Sequence, residues 1–258
     1  MKKFELTSES VVHGSKTLFR IRSLVAFGNV GAGELGGYVE KEANLDQFGN
    51  AWVSGDARVF DNAWVSGKAR VSGDARVFDN ANISGNAWVF GDAKVADNAR
   101  VFGDAKVSGD AKVSGKARVF GDARVFDDAE VSGNAWVFDD ADVSGNAWVF
   151  GDAWVSGDAW VSGDADVSGD TKVSGDADVS NPTHLFQVRT IGSSHGSTTF
   201  FRAKTKKIHV SCGCFNGSID EFEAMVKKIH AGTKHEKTYM LAIELAKAQI
   251  ELEDTDNG

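Results

Sequence analysis

"GDAWVSGDAWVSGDADVSGD", residues 151–170, repeats nearly the same six letters three times. Trp154 and Trp160 hold one slot of successive copies, and Asp166 holds it in the third. The slots around it barely change. From Ala51 to Pro182 the chain divides into 22 hexads without a gap. The first slot is Ala except at Thr171, and the third is Val except at Ile83. The fourth is Ser or Phe, with Ala96 the exception, and the fifth is Gly or Asp, with Asn181 the exception. The sixth is mostly Asp or Asn. Apolar residues in slots one and three alternate with variable residues in two and four, which is the period of a strand with one buried face. Slots five and six carry turn chemistry, since Gly and Asn accept positive φ and Asp bonds its own backbone. Each hexad therefore reads as a short strand and a bend, with Ala and Val inward.

A strand this short buries nothing alone. Stacked coils bury a continuous column and pair each backbone group with the coil above or below. The runs "VFDNAW", "VSGDAR" and "VSGNAW" place a small residue four positions after an aliphatic one, across a turn pair. In this the sequence resembles the hexapeptide-repeat, left-handed parallel β-helix family. The resemblance covers about half the chain. It implies a triangular prism with three hexads per coil and a left-handed wind, an exception to the right-handed crossover rule. "GYVEKE" (37–42) and "ANLDQFGN" (43–50) read as two further hexads, the second with a two-residue insertion. That makes about eight coils, roughly 35–40 Å long at the ~4.8 Å spacing of paired strands.

The expected fold is mainly β in three parts. Residues 1–36 form a small N-terminal β cap, in which "KTLFRIRSLVAF" (16–27) pairs with "FELTSE" (4–9). Residues 37–182 form the β-helix. Residues 183–258 form an α+β domain, beginning after "SNPT" (180–183) at the chain's only proline. Its strands are expected at 184–191, 198–205 and 207–213. A first helix opens with a capping box from Ser218 to Glu221 and buries Ile219, Phe222, Met225, Val226 and Ile229. A second runs from Thr233, with Glu236 in the box position, to about Leu252. "LGGYVEKEANL" (35–45) and "SCGCFNGSIDEFEAMVKKIH" (211–230) also resemble proteins encoded by phages and prophages.

All seven tryptophans occupy slot two: Trp52, Trp64, Trp88, Trp136, Trp148, Trp154 and Trp160. Eight phenylalanines occupy slot four. The alternation places all of them on the outside. Residues 18 apart should stack on one face, so Phe102, Phe120 and Phe138 form a ladder beside Arg100, Arg118, Trp136 and Trp154. Phe60 should likewise stack on Phe78. Two readings follow. Aromatic stacks and arginine-over-ring contacts stabilise the sheet itself. A contiguous exposed aromatic face is also a contact surface for a second copy, a partner or the C-terminal domain. Slot two is basic from Arg58 through Arg124 and then turns to Trp, Asp and Glu. Sixth-slot aspartates line two corners, Asp56 to Asp128 and Asp104 to Asp176. Turn capping explains them, with calcium binding and phosphate mimicry as alternatives.

The net charge is −9, and the acidity lies in the middle: residues 51–182 hold 12 Lys+Arg against 22 Asp+Glu. That argues against a direct electrostatic grip on nucleic acid. The start, "MKKFELTSES", has no apolar run after its lysines and does not read as a signal peptide. No stretch reaches the ~20 apolar residues of a membrane helix. The expectation is a protein of the cytoplasm of a bacterial host that touches no membrane.

The hexapeptide family includes acyltransferases, which use a histidine base, and carbonic anhydrases, which hold zinc with three histidines. This chain has His13 and then none until His184. It also lacks the long loop that shapes the acyltransferase site. No catalytic residue and no cofactor is therefore expected, and an acyltransferase is the weakest alternative. Cys212 and Cys214 are expected on one face of a strand as core thiols, with metal binding alongside His209 as the weaker reading. "GSSHGS" (192–197) brings Ser and His together but has the composition of a hairpin loop. The leading expectation is a non-catalytic scaffold that binds a protein partner or itself, as a homodimer or homotrimer, through the outward aromatic and arginine face or through the C-terminal domain. The alternative is a phage counter-defence protein that blocks a host nuclease or sequesters a nucleotide signal.

Overall fold

The computed structural model describes residues 2–192 and 195–253. Ser193 and Ser194, two of the three serines of "GSSHGS", lie outside the described residues. Every hexad from Ala51 to Pro182 forms a two-residue rung at slots two and three, from Trp52–Val53 to Asp178–Val179. Rungs 18 residues apart pair in parallel and in register, as Arg100 with Arg118 and Val101 with Val119. The result is a β-solenoid of about eight turns with three sheets, of 7, 8 and 10 strands. The first-slot Ala and third-slot Val side chains are at most 1% exposed. Each buried Val contributes about 1.5 kcal/mol or more.

The backbone pairing follows the slots. The second- and fourth-slot amides, and many of the sixth-slot ones, donate to the next coil, as Arg100 to the Ala117 carbonyl (2.9 Å), Phe102 to Val119 (3.0 Å) and Asp104 to Gly121 (2.8 Å). The first-slot amide closes the bend in many hexads, as Ala99 donating to the Ala96 carbonyl at 3.2 Å. The fifth slot sits in the left-handed region in every hexad but the last, where Asn181 is extended, which is why glycine dominates it.

The cap grows out of one solenoid sheet. Strand β1 (Phe4–His13) pairs antiparallel with β2 (Lys16–Ser23) around Gly14. Relative to the sequence reading, the first strand is longer and the second shorter. Strand β3 (Leu35–Val39) then pairs antiparallel with β2 and parallel with the rung Arg58–Val59. It runs across the expected boundary at residue 36 and joins cap and prism. A Cβ on Gly37 would lie 2.7 Å from the Ala57 carbonyl oxygen, so only glycine allows this approach. Hexad 43–50 fits in part. Leu45 bridges Val65 in parallel. Asn44, in slot two, turns inward instead, and its amide donates to the carbonyls of Asp61 (3.1 Å) and Ala63 (2.9 Å). A buried amide is stable there because it is hydrogen-bonded.

The cap also corrects the expectation that every aromatic of the repeat is a surface residue. Trp52 is 5% and Phe60 6% exposed. Phe27 packs edge-on against Trp52 at 5.5 Å, and Phe60 is covered by Leu18, Tyr38 and His13. Both aromatics stand on the outer side of the prism, as the alternation requires, but the N-terminal segment is folded over them.

The C-terminal domain has four strands rather than three: β4 (Leu185–Ile191), β5 (Gly196–Arg202), β6 (Ile208–Cys212) and β7 (Phe215–Ser218), in consecutive antiparallel order. Helices α1 (Ile219–Ile229) and α2 (Lys234–Gln249) follow, the second ending short of Leu252. The Ser218–Glu221 box is formed, Ser218 N–H donating to the Glu221 carboxylate at 2.9 Å and Glu221 N–H to Ser218 Oγ at 3.3 Å. Glu236 instead accepts from the Gly232 amide at 2.7 Å, one residue before Thr233. Ile229, expected inside, is 64% exposed, because α1 turns its last residue away from the Phe200–Phe222–Ile243 core.

This domain closes the far end of the prism. Ala203 bridges Ala177, and Phe201 enters the core column as its last layer. Arg202, 1% exposed, donates to Asp178 Oδ2 at 2.9 Å and to the Asp178 carbonyl at 3.1 Å. A buried cation is stable there because its counter-charge is in contact.

Candidate interaction face

The seven-stranded sheet carries the expected ladder. Phe102 stacks on Phe120 at 4.9 Å and 2°, and Phe120 on Phe138 at 5.0 Å and 4°. Trp136 stacks on Trp154 at 5.1 Å and 3°. The two columns meet edge to face, Phe120 to Trp136 at 5.9 Å and Phe138 to Trp154 at 5.9 Å. Arg118 lies over Trp136 at 4.7 Å, and Lys172 lies over Trp154 at 5.3 Å. The strand register causes this: identical rings one coil apart meet at rung spacing with the same rotamer, so they stack in parallel. The three phenylalanines, Trp136 and Arg118 are half-buried by one another, while Trp154 and Arg100 remain exposed. On the ten-stranded sheet Phe60 stacks on Phe78 at 5.2 Å and 4°.

The ladder leads to the C-terminal domain. Asn216 of β7 donates to Ser174 Oγ at 2.8 Å, so the β6–β7 hairpin overhangs the same face. A hollow of about 270 Å³ lies there between Phe138, Trp154, Lys172 and Cys214. A larger cleft, about 420 Å³, opens between Asp170 and Lys172 of the solenoid and Cys212, Met225, His230 and Tyr239 of the domain. Burial, then the neighbouring Cys212, pushes the Tyr239 hydroxyl up to about 12. Burial acts to raise the Asp170 carboxyl, but hydrogen bonds from Ser197, its own amide and Gln187, with Arg189 nearby, hold it below the usual carboxylate range.

The cysteines are not the expected pair of core thiols. Cys212 ends β6, half-buried, and takes a hydrogen bond from Thr198 Oγ1 at 3.1 Å. Cys214 is exposed in the turn. The glycine between them takes a φ of +60° and breaks the strand. His209 faces the solenoid, its Nδ1 3.5 Å from Asp176. Among the described residues no three His, Cys, Asp or Glu side chains are grouped to hold a metal ion. The sixth-slot columns instead form ladders where Asn meets Asp, as Asn86 to Asp104 (2.9 Å) and Asn134 to Asp152 (2.9 Å). No helix among the described residues is long and apolar enough to cross a membrane.

Residues 49–67 match a family model described as the YdcK beta solenoid repeat. The matched stretch covers the rungs Trp52–Val53, Arg58–Val59 and Trp64–Val65, one full coil. Together with the stacked rungs, the match places the repeat among β-helix repeats. No curated protein matches the chain.

Proposed function

We propose that this is a non-catalytic interaction protein whose solenoid is a rigid spacer and whose Phe102–Phe120–Phe138 face binds a second copy of the chain. The observation that carries this reading is the unbroken aromatic tract, which runs from Phe102 to Trp154 and ends under the overhanging hairpin. Charge supports a second copy as the occupant. The face carries Arg100, Arg118 and Lys172, and the chain's own corners carry the aspartate columns that would complement them. The unvarying period of six and the "VSGDAR"-type runs favour a hexapeptide-repeat, left-handed β-helix. The two flanking stretches favour a phage or prophage origin, with the cytoplasm of a bacterial host as the place of action. With no histidine between His13 and His184, the solenoid lacks the base its enzymatic look-alikes use.

Native mass spectrometry with sedimentation velocity tests the reading on the whole protein. The wild type is expected as a dimer or trimer, and Phe120→Ser as a monomer with an unchanged circular dichroism spectrum. A wild-type monomer at every accessible concentration, or an assembly unaffected by Phe120→Ser, would overturn it.

A further inference from the structure

Where the N-terminal cap meets the prism, the eight-stranded sheet forms the floor of a second hollow of about 270 Å³. Three consecutive rungs supply Trp52, Arg70 and Trp88 to it, in register. Lys68 stands at the adjoining corner, and the cap loop with Glu34 makes the opposite wall. We propose that this hollow binds a small anion carrying a flat ring, of the nucleoside monophosphate class.

Arg70 carries the argument. It lies one rung from an indole on either side, the arrangement in which Arg118 covers Trp136. Among the described residues Arg70 nonetheless covers neither Trp52 nor Trp88 and forms no ion pair, unlike Arg124, which holds Asp142 at 2.7 Å. Lys68 likewise has no ion-pair partner among them, and it occupies a corner column that becomes acidic only at Asp104. Two cations converging in a concavity without a counter-charge in contact select an anion, and a guanidinium fork suits phosphate oxygens. Trp88 offers the ring surface. It is 39% exposed, and its position is fixed because Nε1 donates to Ser72 Oγ at 3.1 Å and Phe90 packs against it at 4.7 Å.

One further group sets polarity. Glu34 accepts from the Gly31 amide at 2.8 Å through Oε2, which leaves Oε1 to accept from an N–H on the ring edge. The volume lies at the small end of ligand pockets, enough for one ring and one anionic group. The site is on a different sheet from the Phe102 ladder and does not depend on that face's role.

Isothermal titration of the full-length protein with adenosine 5′-monophosphate, adenosine and inorganic phosphate tests the assignment. The monophosphate is expected to bind about tenfold or more tightly than either fragment, and Arg70→Ala and Lys68→Ala each to weaken it by about tenfold. Trp88→Ala is expected to reduce it to the affinity of phosphate alone, and Lys112→Ala, on another sheet, to leave it unchanged. All four side chains lie outside the core column, and melting curves check that each variant is folded. No binding of the monophosphate at millimolar concentration, phosphate binding as tightly as the monophosphate, or full affinity in Arg70→Ala would each overturn the proposal.

Discussion

Aspartate fills the fifth slot at positions 61, 79, 97, 127 and 139, and each takes a φ between +57° and +60°. An L-residue there costs about 1–2 kcal/mol relative to glycine. The side chain offsets the cost. Asp97 accepts the Gly115 amide one coil on at 2.9 Å, and Asp79, Asp127 and Asp139 reach the corresponding amides at 3.3–3.4 Å. These fifth-slot amides have no backbone acceptor among the described residues. Asp97→Ala keeps the strain and loses the acceptor, so it is expected to lower stability by about 1–2 kcal/mol. Asp97→Gly loses only the acceptor and relieves the strain, with an expected change of about 0.5 kcal/mol. Thermal unfolding compares the two variants, and amide exchange at Gly115 should quicken in both. Equal losses would mean that the backbone strain plays no part.

At the scale of elements, a two-residue rung is too short to be stable alone, and the stacked column makes it so. The cap hairpin has no repeat to lean on and is fixed by a few long-range contacts instead. Lys3 is one of them: it is 4% exposed, donates to the Ala51 carbonyl at 2.9 Å and lies over Phe27 at 4.9 Å. Burial pushes its ammonium down to about 8 from an ordinary 10.5, with Asp46 pulling the other way. Between those values the unfolded chain holds a proton that the folded one has released, so stability rises with pH through that window. Below about 8 the native state carries a buried ammonium at full cost. Urea unfolding from pH 8 to 10.5 is expected to show wild type gaining on Lys3→Met. A constant difference between them would show that Lys3 does not change its protonation on folding.

The whole molecule is a stack with two open ends, each a template for further strands. The β2–β3 pair closes one, and Phe201, Arg202 and Ala203 close the other. Arg202→Ala leaves Asp178 without its cation at the last rung and is expected to loosen this closure by about 3 kcal/mol or more. Hydrogen exchange at 177–179 should rise, and size-exclusion chromatography should show higher assemblies as the bare edge is exposed. Unchanged exchange there would mean that Phe201 and the Ala177–Ala203 bridge hold the domain alone.

The repeat, its three faces and the pairing of Phe102, Phe120 and Phe138 are legible in the letters, because each coil's neighbour is the same pattern 18 residues on. Local period and contact order coincide, so reading one predicts the other. The ends lack that redundancy. That Phe27 would cover Trp52, that Asn44 would turn inward and that β3 would serve two pairings depend on segments that occur once and meet the prism over long sequence separations. The short strand Phe215–Ser218, with Asn216 and Gly217 inside it, carries no alternating pattern to reveal it, and pairing with β6 alone makes it a strand. The sequence by itself determined the column and its outward aromatics. The tertiary structure decided which of those aromatics stay exposed, and where cap and prism leave room for a ligand, since burial by a non-repeating segment is written in shape and not in period.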